Sequence, residues 1–180
     1  QGSVSTDALA LGWSLELDDL GAILLGAAGR IHARGDLTGT PHAPELVATL
    51  NAPAGLALPG AIRIAGVAAE ARLADLLGVV EIVGSARLAG LVVGGVSGDL
   101  TLDARGPLGA LALSAETRLR AGTDAVSGAL QARLDGPGRR LAVERLEASA
   151  RGEALRLLAP AVIDLSDGVA VDRLRLGLRQ

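Results

Sequence analysis

Aromatic side chains are almost missing from this chain: it has no Phe, no Tyr, and a single Trp, at position 13. Rings normally close the gap between packed layers because each buries a large area. Any apolar layer here must be filled by Leu, Val, Ile and Ala, which dominate the 49% of hydrophobic residues. Cysteine is absent as well, which excludes disulfides and thiolate metal ligands within the chain and leaves the periplasm and the cytosol both open. Lysine is also absent, all 17 basic residues being Arg, so lysine Schiff bases and phosphate-loop lysines are excluded. A net charge of −3 lacks the clustered basic excess of a nucleic-acid surface.

Long apolar runs are missing too. The stretches Gly21 to Gly29 and Gly90 to Val96 fall well short of the roughly 18 residues that a membrane-spanning helix needs. Gln1-Gly2-Ser3 has neither the charged nor the apolar region of a signal peptide, and reads as the cut edge of a longer protein. Residues 1–180 are expected to form one segment of a repetitive domain.

What is present is alternation with a period of two. Leu100, Leu102 and Ala104 share one face of a strand, while Asp99, Thr101, Asp103 and Arg105 share the other. The pattern returns at Leu111, Leu113 and Ala115, at Leu130, Ala132 and Leu134, and at Leu174, Leu176 and Leu178. Earlier, Ile31, Ala33 and Leu37 oppose His32, Arg34 and Asp36. Turn signals such as Thr40-Pro41-His42, Pro59-Gly60, Gly94-Gly95, Gly106-Pro107 and Gly136-Pro137-Gly138 separate the runs. Around Leu141 to Ala150 the apolar parity slips, and a bulge near Glu144-Arg145 would keep both halves facing the same way. Leucines at spacings of three and four in Asp18 to Leu25 and in Leu73 to Leu77 predict at most one or two short helical turns. The fold class is therefore all-β: an elongated antiparallel sheet of repeated hairpins.

Catalytic constellations are not found. His32 and His42 lack metal-ligand spacing and read as surface or loop residues. Asp18-Asp19 and Asp164 with Asp167 read as turn caps, since no later Glu completes a calcium loop. No Gly-x-Ser-x-Gly elbow or phosphate-cradling loop is present, and Arg34-Gly35-Asp36 falls inside an expected strand. No enzymatic activity, cofactor or metal is expected. What remains is the aliphatic face itself. Composition fits either a closed core, with leucines of two facing sheets interdigitating, or a groove in which that face meets acyl chains. The residues expected to line it are Ile31, Leu37, Leu46, Leu50, Ile62, Ile64, Leu100, Leu102, Leu111, Leu113, Leu130, Leu134, Leu141, Val143, Leu174, Leu176 and Leu178.

Gly39-Thr40-Pro41-His42-Ala43-Pro44-Glu45-Leu46, preceded by Gly29 to Leu37, resembles the Gly-Thr-Pro-x-Ala-Pro element of the TamB translocation and assembly module family, within the AsmA-like group. Leu73 to Leu88 and Leu155 to Leu178 share that family's texture. The resemblance implies a periplasmic segment of a protein anchored in the inner membrane, with a curled sheet whose hydrophobic groove shields or conducts phospholipid acyl chains between the membranes. It also implies a role in outer-membrane protein assembly through a barrel partner, engaged by other parts of the full-length protein. Membrane contact is expected only through segments absent here. The alternative is a structural or adhesive secreted β-solenoid or β-sandwich with a closed aliphatic core.

Overall fold

The computed structural model describes residues 2–4, 8–164, 166, 170–172 and 175–179. All of its strands belong to one antiparallel sheet. In chain order the first are β1 (Gly2–Val4), β2 (Leu9–Leu17), β3 (Ala28–Gly29), β4 (Ile31–Thr40), β5 (Ala43–Ala52), β6 (Leu56–Leu58), β7 (Ile62–Ile64) and β8 (Gly66–Ala74). The long central strands follow: β9 (Glu81–Val93), β10 (Val96–Pro107), β11 (Leu111–Ala121), β12 (Asp124–Asp135) and β13 (Arg140–Ala150). Four short strands end the described chain: β14 (Glu153–Leu157), β15 (Ala161–Asp164), β16 (Ala170–Asp172) and β17 (Leu176–Arg179).

The main ladder is a meander that runs β1, β2, β4, β5, β8, β9, β10, β11, β12, β13. Short turns dictate the order from β8 to β13 and the β4–β5 hairpin, because a hairpin leaves no length for a crossover, whereas β2 pairs with β4 and β5 with β8 across longer segments that hold β3, β6 and β7. Strands β3, β6 and β7 form a side ribbon that meets β9 at Arg63 and Val92. Beyond β13 the ladder divides. One branch passes from Glu147–Ala150 to β14 and then β17. The other passes from Arg140–Val143 to β15 and then β16. Among the described residues no pairing joins the two ends, so the sheet is open.

Paired residues of an antiparallel ladder point to the same side, so the register carries each strand's apolar set to its neighbour. One row across the sheet reads Ala33, Leu50, Ala69, Ala86, Leu102, Ala115, Leu130, Leu146. At an inter-strand spacing of about 4.8 Å, that row spans roughly 34 Å. Small and large aliphatics are interspersed along it, so neighbouring leucines have room on a pleated surface without a ring to fill gaps.

Two irregularities preserve the parity. In β13 the pairing steps from Gln131 opposite Arg145 to Ala132 opposite Val143, which leaves Glu144 as the extra residue. This is the bulge that the slipped alternation of Leu141 to Ala150 calls for, and it keeps Val143 and Leu146 on one face. In β9 the pairing steps from Leu88 opposite Leu100 to Leu91 opposite Gly98. Gly90 sits in that bulge at φ 60°, a backbone region that favours glycine.

The expected helical turns fare unequally. Leu20–Ala22 is a single 3-10 turn whose first amides are capped by Asp19. Leu73 and Ala74, by contrast, close strand β8, and residues 75–78 form a turn. There the leucine spacing of three and four is overridden by pairing of Leu73 with Leu46 and Ile82. A further 3-10 turn at Leu108–Ala110 follows Pro107.

Deletion separates bulge from ladder. Removing Glu144 regularises β13 and leaves every aliphatic side chain on its face, so it changes stability by no more than about 1 kcal/mol. Removing Glu116 from the middle of β11 flips half of that strand and abolishes the cooperative unfolding transition. Equal losses from both deletions in a urea titration would contradict the register.

Candidate functional site: the aliphatic face

The register brings most of the expected groove residues together. Ile31 and Leu37 on β4, Leu46 and Leu50 on β5, and Leu100 and Leu102 on β10 share one side of the ladder. They share it with Leu111 and Leu113 on β11, Leu130 and Leu134 on β12, and Leu141 and Val143 on β13. Leu178 and Leu176 pair with Leu155 and Leu157 in the branch beyond β13. Ile62 and Ile64 lie apart, in the side ribbon, where Ile64 is buried opposite Leu56. Leu174 lies outside the described residues. The same face also holds Val67, Leu73, Ile82, Leu88 and Leu119, which the neighbouring alanines of β8 and β9 obscure in the sequence.

Burial on this face is shallow. Among the described residues no large side chain is fully buried, and the best-covered positions are small: Ala52 at 0% and Ala161 at 1% exposure. Leu102, in the middle of the ladder, remains 39% exposed. Leu111 and Val143 are buried, whereas Leu15 on β2 and Leu178 on β17 are 58% and 74% exposed toward the two ends. Each strand packs chiefly against the strands it is hydrogen-bonded to. The face is thus one layer of aliphatic side chains carried by a single sheet.

Trp13 sits in this layer opposite Gly35, with Leu11 and Leu15 beside it on β2. A Cβ added at Gly35 would come 2.7 Å from the indole Cζ2 and Nε1 atoms, and would strike the Val47 carbonyl. The glycine therefore provides the flat floor on which the one large ring lies, and the ring covers the glycine in turn.

The opposite face is mostly polar, with Val47, Val83 and Val92 set among its charges, and two hollows open there. A hollow of about 850 Å³ stretches from Val47 and Thr49 on β5 to Glu144 on β13, edged by Glu70, Arg72, Asp103 and Arg105. A second, of about 460 Å³, lies between Glu116, Arg118, Glu147 and Arg156. The trough expected on the aliphatic side is not where these hollows open. Their charges are mixed in sign and tied up locally, as where Arg72 donates to Glu45 at 2.6 Å and Ser85 donates to Glu70 at 3.3 Å.

The remaining motifs have structural duties. Gly39, at φ 98°, brings its α-carbon so close to the Ala43 carbonyl that a Cβ would sit 2.5 Å from that oxygen. Thr40 Oγ1 accepts from the Ala43 amide at 3.1 Å, closing the β4–β5 hairpin over Pro41 and His42. The Gly-Thr-Pro-x-Ala-Pro element is thus a hairpin turn. Arg34-Gly35-Asp36 lies flat within β4. Asp18 pairs with Arg30 at 2.9 Å, Asp19 caps the Gly21 amide at 2.8 Å, and His32 lies 3.6 Å from Glu16 across the strands. Among the described residues no cluster of three or more His, Asp or Glu side chains is placed to hold a metal ion.

Asp164 Oδ1 accepts from the Ser166 hydroxyl at 2.5 Å and from the Ser166 amide at 2.9 Å. The hydroxyl first, the amide second and the Arg140 charge last hold its carboxyl below the ordinary value of 3.8, against a weaker opposing effect of burial. No protein-family model, curated protein or solved structure matches the chain.

A depressed carboxylate pKa means that the turn's contribution is complete above the unfolded value and is lost as pH falls through the folded one. Replacing Ser166→Ala shifts the Asp164 midpoint upward toward 3.8 in an NMR carboxyl titration. An unmoved midpoint would show that the hydroxyl is not the governing partner.

Proposed function

We propose that the aliphatic face is a surface along which phospholipid acyl chains are shielded from water. The observation that carries this reading is the exposure of Leu102, 39%, at the centre of a ladder whose face is mainly Leu, Ile, Val and Ala. An ordinary core would bury that leucine. Each methylene fully removed from water gains about 0.8 kcal/mol, so roughly 8 kcal/mol is the upper bound for a chain of ten, and a chain lying on one open layer gains a fraction of it. The central rows are aliphatic apart from Thr117, whose hydroxyl donates to the Asp99 carbonyl at 3.1 Å, so neighbouring sites along the face are nearly equivalent.

The resemblance of Gly39–Leu46 to the TamB translocation and assembly module family extends the proposal to location and partners. On that reading the segment belongs to a periplasmic bridge, part of a longer protein anchored in the inner membrane. Phospholipid is its cargo, and other parts of the protein engage the outer-membrane barrel partner.

The test contrasts two leucines of one face. Leu102→Asp places a charge at an exposed position, so the protein keeps its β-rich circular dichroism spectrum while crosslinking to a photoreactive fatty acid falls at least about tenfold. Leu111→Asp buries the charge and costs about 3 kcal/mol or more, unfolding the chain. Undiminished crosslinking in a folded Leu102→Asp protein would refute the acyl-chain reading.

A further inference from the structure

The loop between β2 and β4 has an unusual tip. Ile23 is 73% exposed, Leu24 44% and Leu25 93%, which makes it a contiguous exposed aliphatic cluster. Its base is anchored: Leu20 and Ala27 are buried at 7% and 8% exposure, and Gly26, at φ 80°, turns the chain back beside Pro59. Gly21 lies so close to the Ala27 carbonyl that a Cβ would sit 2.9 Å from that oxygen. The tip is therefore held out on a closed turn.

We propose that this tip inserts into the interfacial layer of a phospholipid bilayer, at the end of the sheet where the aliphatic row Leu11, Trp13, Leu15 of β2 terminates. Three features favour a lipid surface over a protein partner. From Leu20 to Gly29 the chain has no polar or charged side chain, whereas a protein-docking patch carries a polar rim that hydrogen-bonds its partner. The tip's amides are satisfied from within except those of Leu25 and Gly26 at its apex, which the hydrated headgroup layer can bond. Gly21 donates to Asp19 Oδ1 at 2.8 Å, Ala22 to the Asp19 carbonyl at 3.2 Å, and Ile23 and Leu24 to the Leu20 carbonyl at 3.1 and 3.0 Å. Ala27 donates to the Leu24 carbonyl at 3.0 Å. Hydrocarbon offers no replacement for such bonds, so internal satisfaction is what insertion demands. Finally, Asp18 at the base is paired with Arg30 at 2.9 Å and Asp19 caps the Gly21 amide, so the base carries no excess positive charge, which fits zwitterionic lipid and gives anionic lipid no advantage.

The purpose of the contact rests on the acyl-chain reading above, because a bilayer held at this rim abuts the end of the aliphatic face. The contact itself stands on the loop alone. Its test is flotation of the chain with phosphatidylcholine vesicles, for the parent and for the double variant Ile23→Asp, Leu25→Asp, with circular dichroism to check folding. The parent floats, salt changes the floated fraction little, and the variant's partition falls about tenfold or more. Absence of flotation, or equal flotation of both proteins, overturns the proposal. So does a variant that only converts a dimer to a monomer, which would assign the tip to a contact between copies. Crosslinking of the variant to a monomeric photoreactive fatty acid keeps the two readings apart: it persists if the aliphatic face binds chains, whatever the vesicles show.

Discussion

Everything in this sheet depends on parity. Side chains alternate with a period of two, so a slip of one residue in any strand would move its leucines from the aliphatic face to the polar one. The ladder from β2 to β13 keeps the faces separate over long strands, and it does so by absorbing an extra residue where the sequence carries one. Glu144 in β13 and the Ala89-Gly90 pair in β9 are the places where the count is corrected. Without those bulges, Leu141 and Val143 would point away from Leu146, and Leu91 away from Leu88. The tight β4–β5 hairpin, closed by Thr40 and permitted by Gly39, sets the register of its two strands in the same way.

The scarcity of rings follows from the same geometry. A single layer has no facing layer whose distance must be bridged, so bulky side chains would only stand out into solvent. Leucines set among alanines cover a pleated surface evenly, as in the row from Ala33 to Leu146. The one ring present, Trp13, is accommodated because its cross-strand partner is Gly35, and a methyl group at that position would collide with the indole. The cost of this architecture is weak burial: no large side chain among the described residues is fully enclosed. Stability must come from many half-buried cross-strand contacts and from the continuous backbone ladder.

Much of this was legible in the sequence. Strict alternation located the strands around Leu102, Leu113 and Leu130, and the change of parity after Val143 located a bulge. These are local signals, and the backbone reads them locally. The pairing of β5 with β8 across the intervening β6–β7 ribbon was not legible, because nothing in Leu56–Ile64 distinguishes a side ribbon from the next rung. Nor was the fork beyond β13, where two short strands share one long edge. The leucines at 73–77 misled because a helical spacing over five residues is too short to outweigh two flanking strands. The main hollow on the polar face brings together residues of seven strands, from Val47 on β5 to Glu144 on β13, which no window of sequence encodes.

The functional account turns on whether the aliphatic layer is an accessible surface for acyl chains. Trp13 offers a direct probe, since it is the chain's only tryptophan, lies in that layer and is 40% exposed. The decisive measurement is its fluorescence during titration with a fatty acid brominated along the acyl chain, below micelle formation. The account predicts saturable quenching that the unbrominated fatty acid does not cause. Trp13 emission that stays unchanged throughout the brominated titration would contradict it.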